Sequence, residues 1–344
     1  MSALPSNETP FAKLLVADAA GRIRHLPRAA LSSLFESGDL VVANDAATLP
    51  ASLQGTHESS GGHIEVRLAG WVRPRDSARF IALMFGAGDH RLRTEDRPPP
   101  PALSPGDRLA FGPLAATVEQ TLGHPRLVLI RFAGARADLV RGLVRHGRPI
   151  QYTHAPEPLA LWDTWTRFAA TPIAFEPPSA GFALDWRTLA AWRGRGVGFA
   201  TLSHAAGLSS TGDAELDRRL PLDEFYDIPK SCAAAVFEAK RGGRRVIAIG
   251  TTVVRALEAA PSADGAVRAG VGIARGRIGR GARLQIVDAI LTGVHQPGES
   301  HFELMKAFAD DDRLARIHAS AEERGYRGHE FGDSVLIERG DQAT

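Results

Sequence analysis

The stretch RRVIAIGTTVVRALEA, residues 244–259, decides the fold class. It begins with β-branched and apolar residues that favour a strand, breaks at Gly250-Thr251-Thr252, and continues as a helix-forming run. A strand that feeds a helix through a tight turn is the unit of helix-covered parallel sheets. The turn also places backbone N–H groups and hydroxyls at a helix start, where the helix dipole favours an anion such as a carboxylate or phosphate.

Arg255 lies one turn into this predicted helix. Its guanidinium can reinforce the positive charge of the helix start, or it can reach across to a neighbouring element. The plain alternative for the whole turn is an ordinary threonine N-cap that binds no ligand.

The same alternation of strand and helix recurs along the chain. Strand-like runs occur at 13–18, 39–43, 197–203, 244–250, 283–291 and 334–338, with helix-like runs between them. Asp185 is the predicted N-cap of one helix, and Asp311 or Asp312 that of another. Pro229 is predicted in the first turn of a helix that Gly242-Gly243 end. The alternation indicates a largely parallel sheet covered by helices.

Residues 55–150 differ from the segments on either side. They contain short alternating runs, such as HIEVRLAGWV and RFIALMFG, separated by turns rich in Gly, Pro and Asp. Many short strands at regular spacing favour a small antiparallel barrel or sandwich. We therefore predict an α/β protein whose barrel-like, largely parallel sheet domain comprises residues 1–54 and 151–344. A small antiparallel β-barrel domain, residues 55–150, is inserted into it.

Composition limits the functional classes. With 344 residues, 44% of them hydrophobic, the chain can bury the cores of two domains. Its net charge of +2 is too small to indicate a nucleic-acid partner without further evidence. A single cysteine, Cys232, excludes an internal disulfide and a cysteine-rich metal site. The N-terminal MSALPSNETP lacks a secretory signal pattern, and no run is long enough to span a bilayer, so we expect a cytoplasmic protein.

Polar residues follow four of the predicted strands. Asn44 and Asp45 follow the run at 39–43, and His204 follows the run at 197–203. Gly250-Thr251-Thr252 come at the end of the run at 244–250, and a loop with His295 follows the run at 283–291. Functional loops leave the carboxyl ends of strands in α/β domains, so we expect these four segments to meet at one edge of the sheet.

Two of these residues suit proton transfer. His204 and His295 can act as general acids or bases near neutral pH, or they can merely satisfy buried backbone groups. Asp223, Glu224 and Tyr226 in LDEFYDIP, residues 222–229, precede a predicted helix. Either carboxylate is a candidate base, or both only complement the helix dipole.

Two other sequence patterns give weaker evidence of function. Residues 270–284, GVGIARGRIGRGARL, contain repeated glycines, but no helix follows them and a dinucleotide-binding motif is rejected. We interpret the segment as a basic hairpin, either touching phosphates or forming a solvated ribbon. The six-residue spacing of His295 and His301 is weak as a metal motif, so no metal site is predicted.

Taken together, the motifs resemble the S-adenosylmethionine:tRNA ribosyltransferase-isomerase family of queuosine biosynthesis. The similarity extends over nearly the whole chain, and GGRRVIAIGTTVVRALE, residues 242–258, is its most specific part. The other segments that resemble the family are GDLVVANDAATLPASL (38–53), PPSAGFAL (177–184), ATLSHAAGLSST (200–211), DEFYDI (223–228), LQIVDAILTGVHQPGESHFELMKAF (284–308) and YRGHEFGDSVLI (326–337).

The resemblance implies an α/β domain with an inserted β-barrel, as the residue patterns predict independently. It also implies a transferase and isomerase that moves the ribosyl group of S-adenosylmethionine, a substrate, onto 7-aminomethyl-7-deazaguanine in tRNA, giving epoxyqueuosine. By this resemblance, Ser179, Gly181, Gly250, Thr251, Thr252 and Arg255 are candidates for holding S-adenosylmethionine. The candidates for proton transfer are His204, Glu224 and His295, and Asn44, Asp45, Tyr226 and Asp288 are further site candidates.

The chain departs from the family pattern at a few polar positions. Ala183 stands where the family signature has a histidine, Leu222 replaces another, and Gly293-Val294 replace an Asn-Phe pair. The alternatives are therefore a relative that uses S-adenosylmethionine with a different acceptor, or a non-catalytic protein that binds RNA or a ligand.

Overall fold

The computed structural model describes residues 12–73, 78–262, 266–328 and 331–340. The N-terminal MSALPSNETP, residues 1–10, lies outside the described residues. In chain order, the strands are β1 Lys13–Ala17, β2 Ile23–Pro27, β3 Leu40–Asn44, β4 Ala46–Thr48, β5 Ser52–His57, β6 His63–Trp71, β7 Arg79–Phe85, β8 Arg108–Phe111, β9 Leu114–His124, β10 Leu127–Phe132, β11 Thr171–Ala174, β12 Gly198–His204, β13 Glu224–Ile228, β14 Val246–Ile249, β15 Gly270–Ala274, β16 Ala289–Gly293 and β17 Ser334–Glu338. The helices are α1 Leu31–Leu34, α2 Arg136–His146, α3 Trp186–Gly194, α4 Ala214–Asp217, α5 Lys230–Arg241, α6 Thr251–Ala259, α7 Ser300–Met305 and α8 Asp311–Glu323.

A nine-stranded sheet in the order β15-β13-β12-β3-β14-β16-β17-β1-β2 forms the α/β part. Its four central strands, β12, β3, β14 and β16, are parallel, with Ala200, Val42, Ala248 and Ile290 in register across them. Antiparallel pairs add β13 and β15 on one side. On the other side, β17 is antiparallel to β16, β1 is parallel to β17, and β2 is antiparallel to β1. The predicted fold class is confirmed, and the outer strands make the sheet mixed.

Apolar residues on both faces explain why the central strands are buried. Val42, Ala248 and Ile290 belong to one core cluster, which also includes side chains of α5, α6, α7 and α8. The alternate residues of the same strands, such as Val41, belong to a second cluster with α1 and α3. Strands covered by helices on both faces read as continuous apolar runs, and this is the pattern that the sequence shows.

The inserted segment forms a closed barrel of six strands, β5 to β10, in the order β10-β7-β6-β5-β8-β9. Every neighbouring pair is antiparallel. Its core continues into the α/β part through Phe175, Leu208 and Leu216. The barrel therefore packs against the loop that follows β12. The division of the chain at 55 and 150 stays a prediction; the strands of the closed barrel lie between Ser52 and Phe132.

Helix starts agree in part with the predictions. Asp185 Oδ1 accepts a 2.7 Å hydrogen bond from Thr188 N and confirms the predicted N-cap of α3. The N-cap of α8 is Asp310, whose Oδ1 accepts from Arg313 N at 2.7 Å, so the prediction of Asp311 or Asp312 was wrong by one or two residues. Pro229 precedes α5 and Gly242 ends it, as predicted.

Three segments differ from their predicted form. The strand predicted at 283–291 begins only at Ala289, because the N–H groups of residues 285–287 donate to the carboxylate of Glu258 instead. The predicted basic hairpin at 270–284 was wrong, since β15 pairs with β13 rather than with its own continuation. Residues 224–228 precede a helix as predicted, but they were not predicted to be a strand and form β13.

Within the described residues, every helix is too short or too polar to cross a membrane.

Candidate active site

The four predicted segments lie at one edge of the sheet, the carboxyl end of its central parallel strands. Asn44 and His204 are the last residues of β3 and β12, which are adjacent. Gly250 directly follows β14 and donates a 2.8 Å hydrogen bond from its N–H to Leu291 O in β16. Asn44 Nδ2 is 3.3 Å from Thr252 Oγ1. Loops distant in the chain thus share one rim.

Asn44 fixes the position of His204. Its Oδ1 accepts from His204 N at 2.9 Å, and its Nδ2 donates to His204 O at 3.0 Å. The same Oδ1 accepts from Ala46 N at 3.0 Å. The amide is buried, and these contacts hold the backbone of the rim. The neighbouring Asp45 accepts a 2.6 Å hydrogen bond from Ser203 Oγ, which ties the loops after β3 and β12 together.

The turn before α6 needs its glycine. Gly250 is the N-cap with φ of 91°, a conformation that L side chains rarely adopt. A Cβ there would also lie 3.2 Å from Ala180 Cβ. Among the residues that the structure describes, no side chain caps the start of α6, so this turn is not an ordinary threonine N-cap. The first-turn N–H groups of a helix have no intrahelical partner and suit an anion.

The segment 177–184 lies against this turn. Ser179–Ala183 form a 3-10 turn, and Ala180 is its point of approach to Gly250. A Cβ at Gly181 would lie 2.8 Å from Thr166 Cγ2, so only glycine fits there. Ser179 and Gly181 therefore border the start of α6, where the sequence prediction placed a substrate-binding group.

His204, Glu224 and Arg255 form a buried chain of polar side chains beneath the rim. His204 Nε2 lies 3.6 Å from Glu224 Oε2, and Arg255 Nε donates to the same oxygen at 3.0 Å. Glu224 Oε1 accepts from Gly207 N at 2.7 Å. Strand β13 places Glu224 beside β12, because His204 pairs directly with Tyr226, two residues further along β13.

His204 is the unusual member of this chain. It is fully buried, and neither ring nitrogen has a hydrogen-bond partner within the described residues. Burial lowers the pKa of His204 to about 4; the carboxylate of Glu224 opposes this shift and the charge of Arg255 adds to it. The imidazole is therefore neutral at physiological pH. Buried polar groups normally find partners, so an unpartnered pair of nitrogens indicates a functional group.

Arg255 occupies a different position from the one expected for a substrate ligand. Besides Glu224, its guanidinium donates to the carbonyl oxygens of Gly276, Ala274 and Leu222 at 2.6, 2.9 and 3.2 Å. The side chain is buried and reaches across to β13 and β15, which was the alternative for this residue. These contacts position Glu224, and the assignment of Arg255 as a substrate ligand stays a prediction.

His295 lies on the loop after β16. Its Nε2 is 2.8 Å from Thr292 Oγ1, and its Nδ1 is 3.5 Å from Glu299 Oε2. The ring stacks on His301 with centroids 4.8 Å apart. Burial alone would raise the pKa of Glu299, but hydrogen bonds from His295 and Gln296 and the adjacent imidazoles hold it below its usual range. The spacing of four residues between His295 and Glu299 is a sequence signal for this pair.

Two further candidates fall in different places. Tyr226 is buried opposite His204 at the rim, and burial raises the pKa of its phenol against the opposing charge of Arg268. Asp288 precedes β16 at the opposite, amino end of the strands, where it accepts hydrogen bonds from Lys240, Arg339 and Val246 N. These partners hold the carboxylate at this end of the strands, and a role of Asp288 in the site stays a prediction.

Two further features are the possible metal ligands and the basic segment at 275–283. No group of three or more His, Cys, Asp or Glu side chains in the described part of the chain could hold a metal ion. In the segment 275–283, Arg277 donates to the carbonyl oxygen of Asp217 at 2.8 Å, and Arg280 pairs with Asp311. These arginines join neighbouring elements of the protein.

Comparisons with known proteins agree with this architecture. A family model described as "Queuosine biosynthesis protein" matches residues 1–337. S-adenosylmethionine:tRNA ribosyltransferase-isomerase of Sorangium cellulosum is 33% identical, covering 97% of this chain and 94% of the relative. The protein of the same name from Geobacter sulfurreducens is 33% identical over 92% of this chain and 90% of its own.

A solved structure, S-adenosylmethionine tRNA ribosyltransferase from Thermotoga maritima, is similar with a TM-score of 0.50 and 21% identity. The match covers 98% of this chain and 96% of that one and supports the fold alone. The family model spans both the sheet and the inserted barrel. The chain belongs to the queuosine biosynthesis protein family.

Proposed function

We propose that this protein is an S-adenosylmethionine:tRNA ribosyltransferase-isomerase. Its relatives at 33% identity carry this name and match almost their whole length. The proposed reaction transfers and isomerises the ribosyl group of S-adenosylmethionine onto 7-aminomethyl-7-deazaguanine in tRNA. Adenine and methionine leave, and epoxyqueuosine remains in the tRNA. The proposed location, where this tRNA is available, is the cytoplasm.

One observation carries the proposal: His204 is fully buried, its ring nitrogens form no hydrogen bond with any described residue, and its Nε2 lies 3.6 Å from the carboxylate of Glu224. The reaction needs a base that removes a proton made acidic by the adjacent sulfonium. A neutral imidazole can accept that proton. The carboxylate of Glu224, fixed by Arg255 and Gly207 N, then stabilises the imidazolium that forms.

The rim supplies the remaining requirements. The helix start after Gly250, with Thr251 and Thr252, suits the carboxylate of the methionine group. Ser179 and Gly181 border this place and are proposed to line it. His295, held between Thr292 and Glu299, is the proposed proton donor to the departing adenine. No metal ligand is assigned in this scheme.

Two measurements test the proposal. Calorimetry is expected to show S-adenosylmethionine binding to the purified protein. Incubation with S-adenosylmethionine and tRNA bearing the deazaguanine base is expected to release adenine and increase the tRNA mass. The same tRNA with unmodified guanine is the control. Adenine release without a mass change would contradict the assigned acceptor, and absence of S-adenosylmethionine binding would contradict the enzyme assignment.

A further inference from the structure

Three tryptophans are exposed in one part of the chain. Trp162, Trp186 and Trp165 are 74%, 61% and 39% exposed, whereas Trp192 is fully buried. Leaving large aromatic surface in water forgoes the free energy gained by burying it, roughly 25 cal/mol per Å² of apolar area. Exposed aromatics that cluster, rather than scatter, indicate a binding surface.

The two segments that carry these tryptophans are packed together. Thr166 Cγ2 and Phe168 Cζ lie 2.8 Å and 3.0 Å from the position of a Cβ at Gly181, so the segment 161–168 contacts the turn that leads into α3. Arg167 and Arg187 both lie near Asp185. Burial would raise the pKa of Asp185, but hydrogen bonds from Thr188 and the charges of these two arginines hold it below its usual range.

This surface continues into the candidate active site. Trp165 Nε1 donates a 2.9 Å hydrogen bond to Thr48 O, and Thr48 Oγ1 donates to Thr164 O at 3.0 Å. Thr48 ends β4, which follows Asp45 at the carboxyl end of β3. On the other side, Ala180 lies beside Gly250 at the start of α6. Trp165 and the turn that precedes Trp186 therefore border the rim on which the proposed chemistry takes place.

Two arginines and two aspartates lie on these segments, so their formal charges balance. Arg167 and Arg187 are both exposed. The acids of these segments are engaged locally: Asp185 caps α3, and Asp163 accepts a 2.8 Å hydrogen bond from Ala160 N. Exposed aromatic rings next to arginines are the means by which proteins bind unpaired bases, the rings stacking on bases and the arginines pairing with phosphates.

We propose that Trp162, Trp165, Trp186, Arg167 and Arg187 form a stacking surface for unpaired RNA bases that flank the reacting nucleotide. This inference rests on the proposed function, since it places the nucleotides of a tRNA loop beside the rim. We call these five residues the tryptophan patch. Trp165 is anchored through its indole nitrogen, whereas the most exposed rings, Trp162 and Trp186, offer the largest free faces.

The test measures binding of a labelled RNA hairpin with an open loop, followed by fluorescence anisotropy. W162A and W186A are each expected to weaken binding by roughly five- to a hundred-fold, with little change for a fully paired RNA. R167Q/R187Q is expected to reduce the slope of log affinity against log salt by about 1.4 units, because each phosphate contact with a single strand contributes roughly 0.7. F237A/R241Q, an exposed aromatic and a cation on α5, is the matched control and should bind RNA as wild type does.

Calorimetry with S-adenosylmethionine on the same variants separates this inference from the proposed function. Unchanged S-adenosylmethionine binding with weakened RNA binding supports the patch. Wild-type RNA affinity in W162A/W186A would overturn it, even if adenine release proves the activity. A change in the oligomeric state of W162A/W186A without loss of RNA affinity would also overturn it, and would assign the surface to contact between copies. RNA binding that depends on the patch, without S-adenosylmethionine binding, would contradict only the enzyme assignment.

Discussion

The two ends of the central parallel strands both bury polar groups, but they do so differently. At the amino end, Asp39 pairs with Arg245, and Asp288 accepts from Lys240, Arg339 and a backbone N–H. At the carboxyl end, His204 is fully buried and its ring nitrogens have no partner within the described residues.

Buried polar groups that serve only stability are usually paired, because an unsatisfied one costs its desolvation free energy. At the amino end, Asp39 and Asp288 follow that rule. The carboxyl end departs from it at His204, and α6 begins there without a side-chain cap. The unsatisfied ring of His204 is typical of a binding site, whereas the paired carboxylates of Asp39 and Asp288 are typical of a structural network.

The largest expected effect concerns His204. His204→Gln should reduce the rate of adenine release by roughly 10²- to 10⁴-fold, the range for loss of a general acid or base. The amide still fits beside Glu224, so the variant should fold. Adenine release is measured by chromatography and folding by circular dichroism. A rate of adenine release within about two-fold of wild type would show that another group carries the proton.

The second prediction concerns the pH dependence of unfolding. The pKa of His204 is about 4 in the folded protein and near 6.5 when unfolded, so between these values only the unfolded chain binds the proton. Stability should therefore fall as pH decreases from 6.5 to 4, by about 3 kcal/mol in total from this group, and the loss should level off below pH 4.

Urea unfolding at several pH values measures this loss. His204→Gln removes the titrating group, so the difference in pH slope between wild type and variant isolates its contribution. Equal slopes in the two proteins would show that His204 is not buried as a neutral imidazole.

The third prediction concerns the amino end. Asp288→Asn should lower the free energy of unfolding by about 1–3 kcal/mol, because Lys240 and Arg339 lose their shared carboxylate. Adenine release per folded molecule should match wild type, since Asp288 lies at the other end of the strands. Denaturant unfolding and the adenine assay measure the two effects. A selective loss of activity would remove the distinction between the two ends.

The smallest expected effect is at the helix start. Thr252→Val removes the hydroxyl that lies 3.3 Å from Asn44 Nδ2 and should cost about 1 kcal/mol of stability. We also expect a higher KM for S-adenosylmethionine with a nearly unchanged kcat, because the change affects binding at the rim rather than proton transfer. Thr201→Val, in the middle of β12, is a control for loss of a threonine hydroxyl. An altered kcat with unchanged KM would contradict the assignment of this turn to binding.

The sequence was sufficient for the main architecture because its signals were local. Continuous apolar runs marked the central strands, and a glycine break with a following helix marked the turn at Gly250. Short alternating runs marked the barrel. Sequence reasoning failed where a distant side chain replaced a local partner, as at residues 285–287, whose N–H groups bind Glu258 instead of a neighbouring strand.

The sequence by itself determined which residue types follow each strand, and therefore that Asn44, His204, Gly250 and His295 were candidates for one rim. Only the tertiary structure decided where each side chain lies and which groups it contacts. Arg255 pairs with Glu224 because β13 folds beside β12, and Asp288 lies at the far end of its strand. Burial, charge and hydrogen-bond partners depend on strand order and on side chains distant in the chain, and residue spacing carries no record of them.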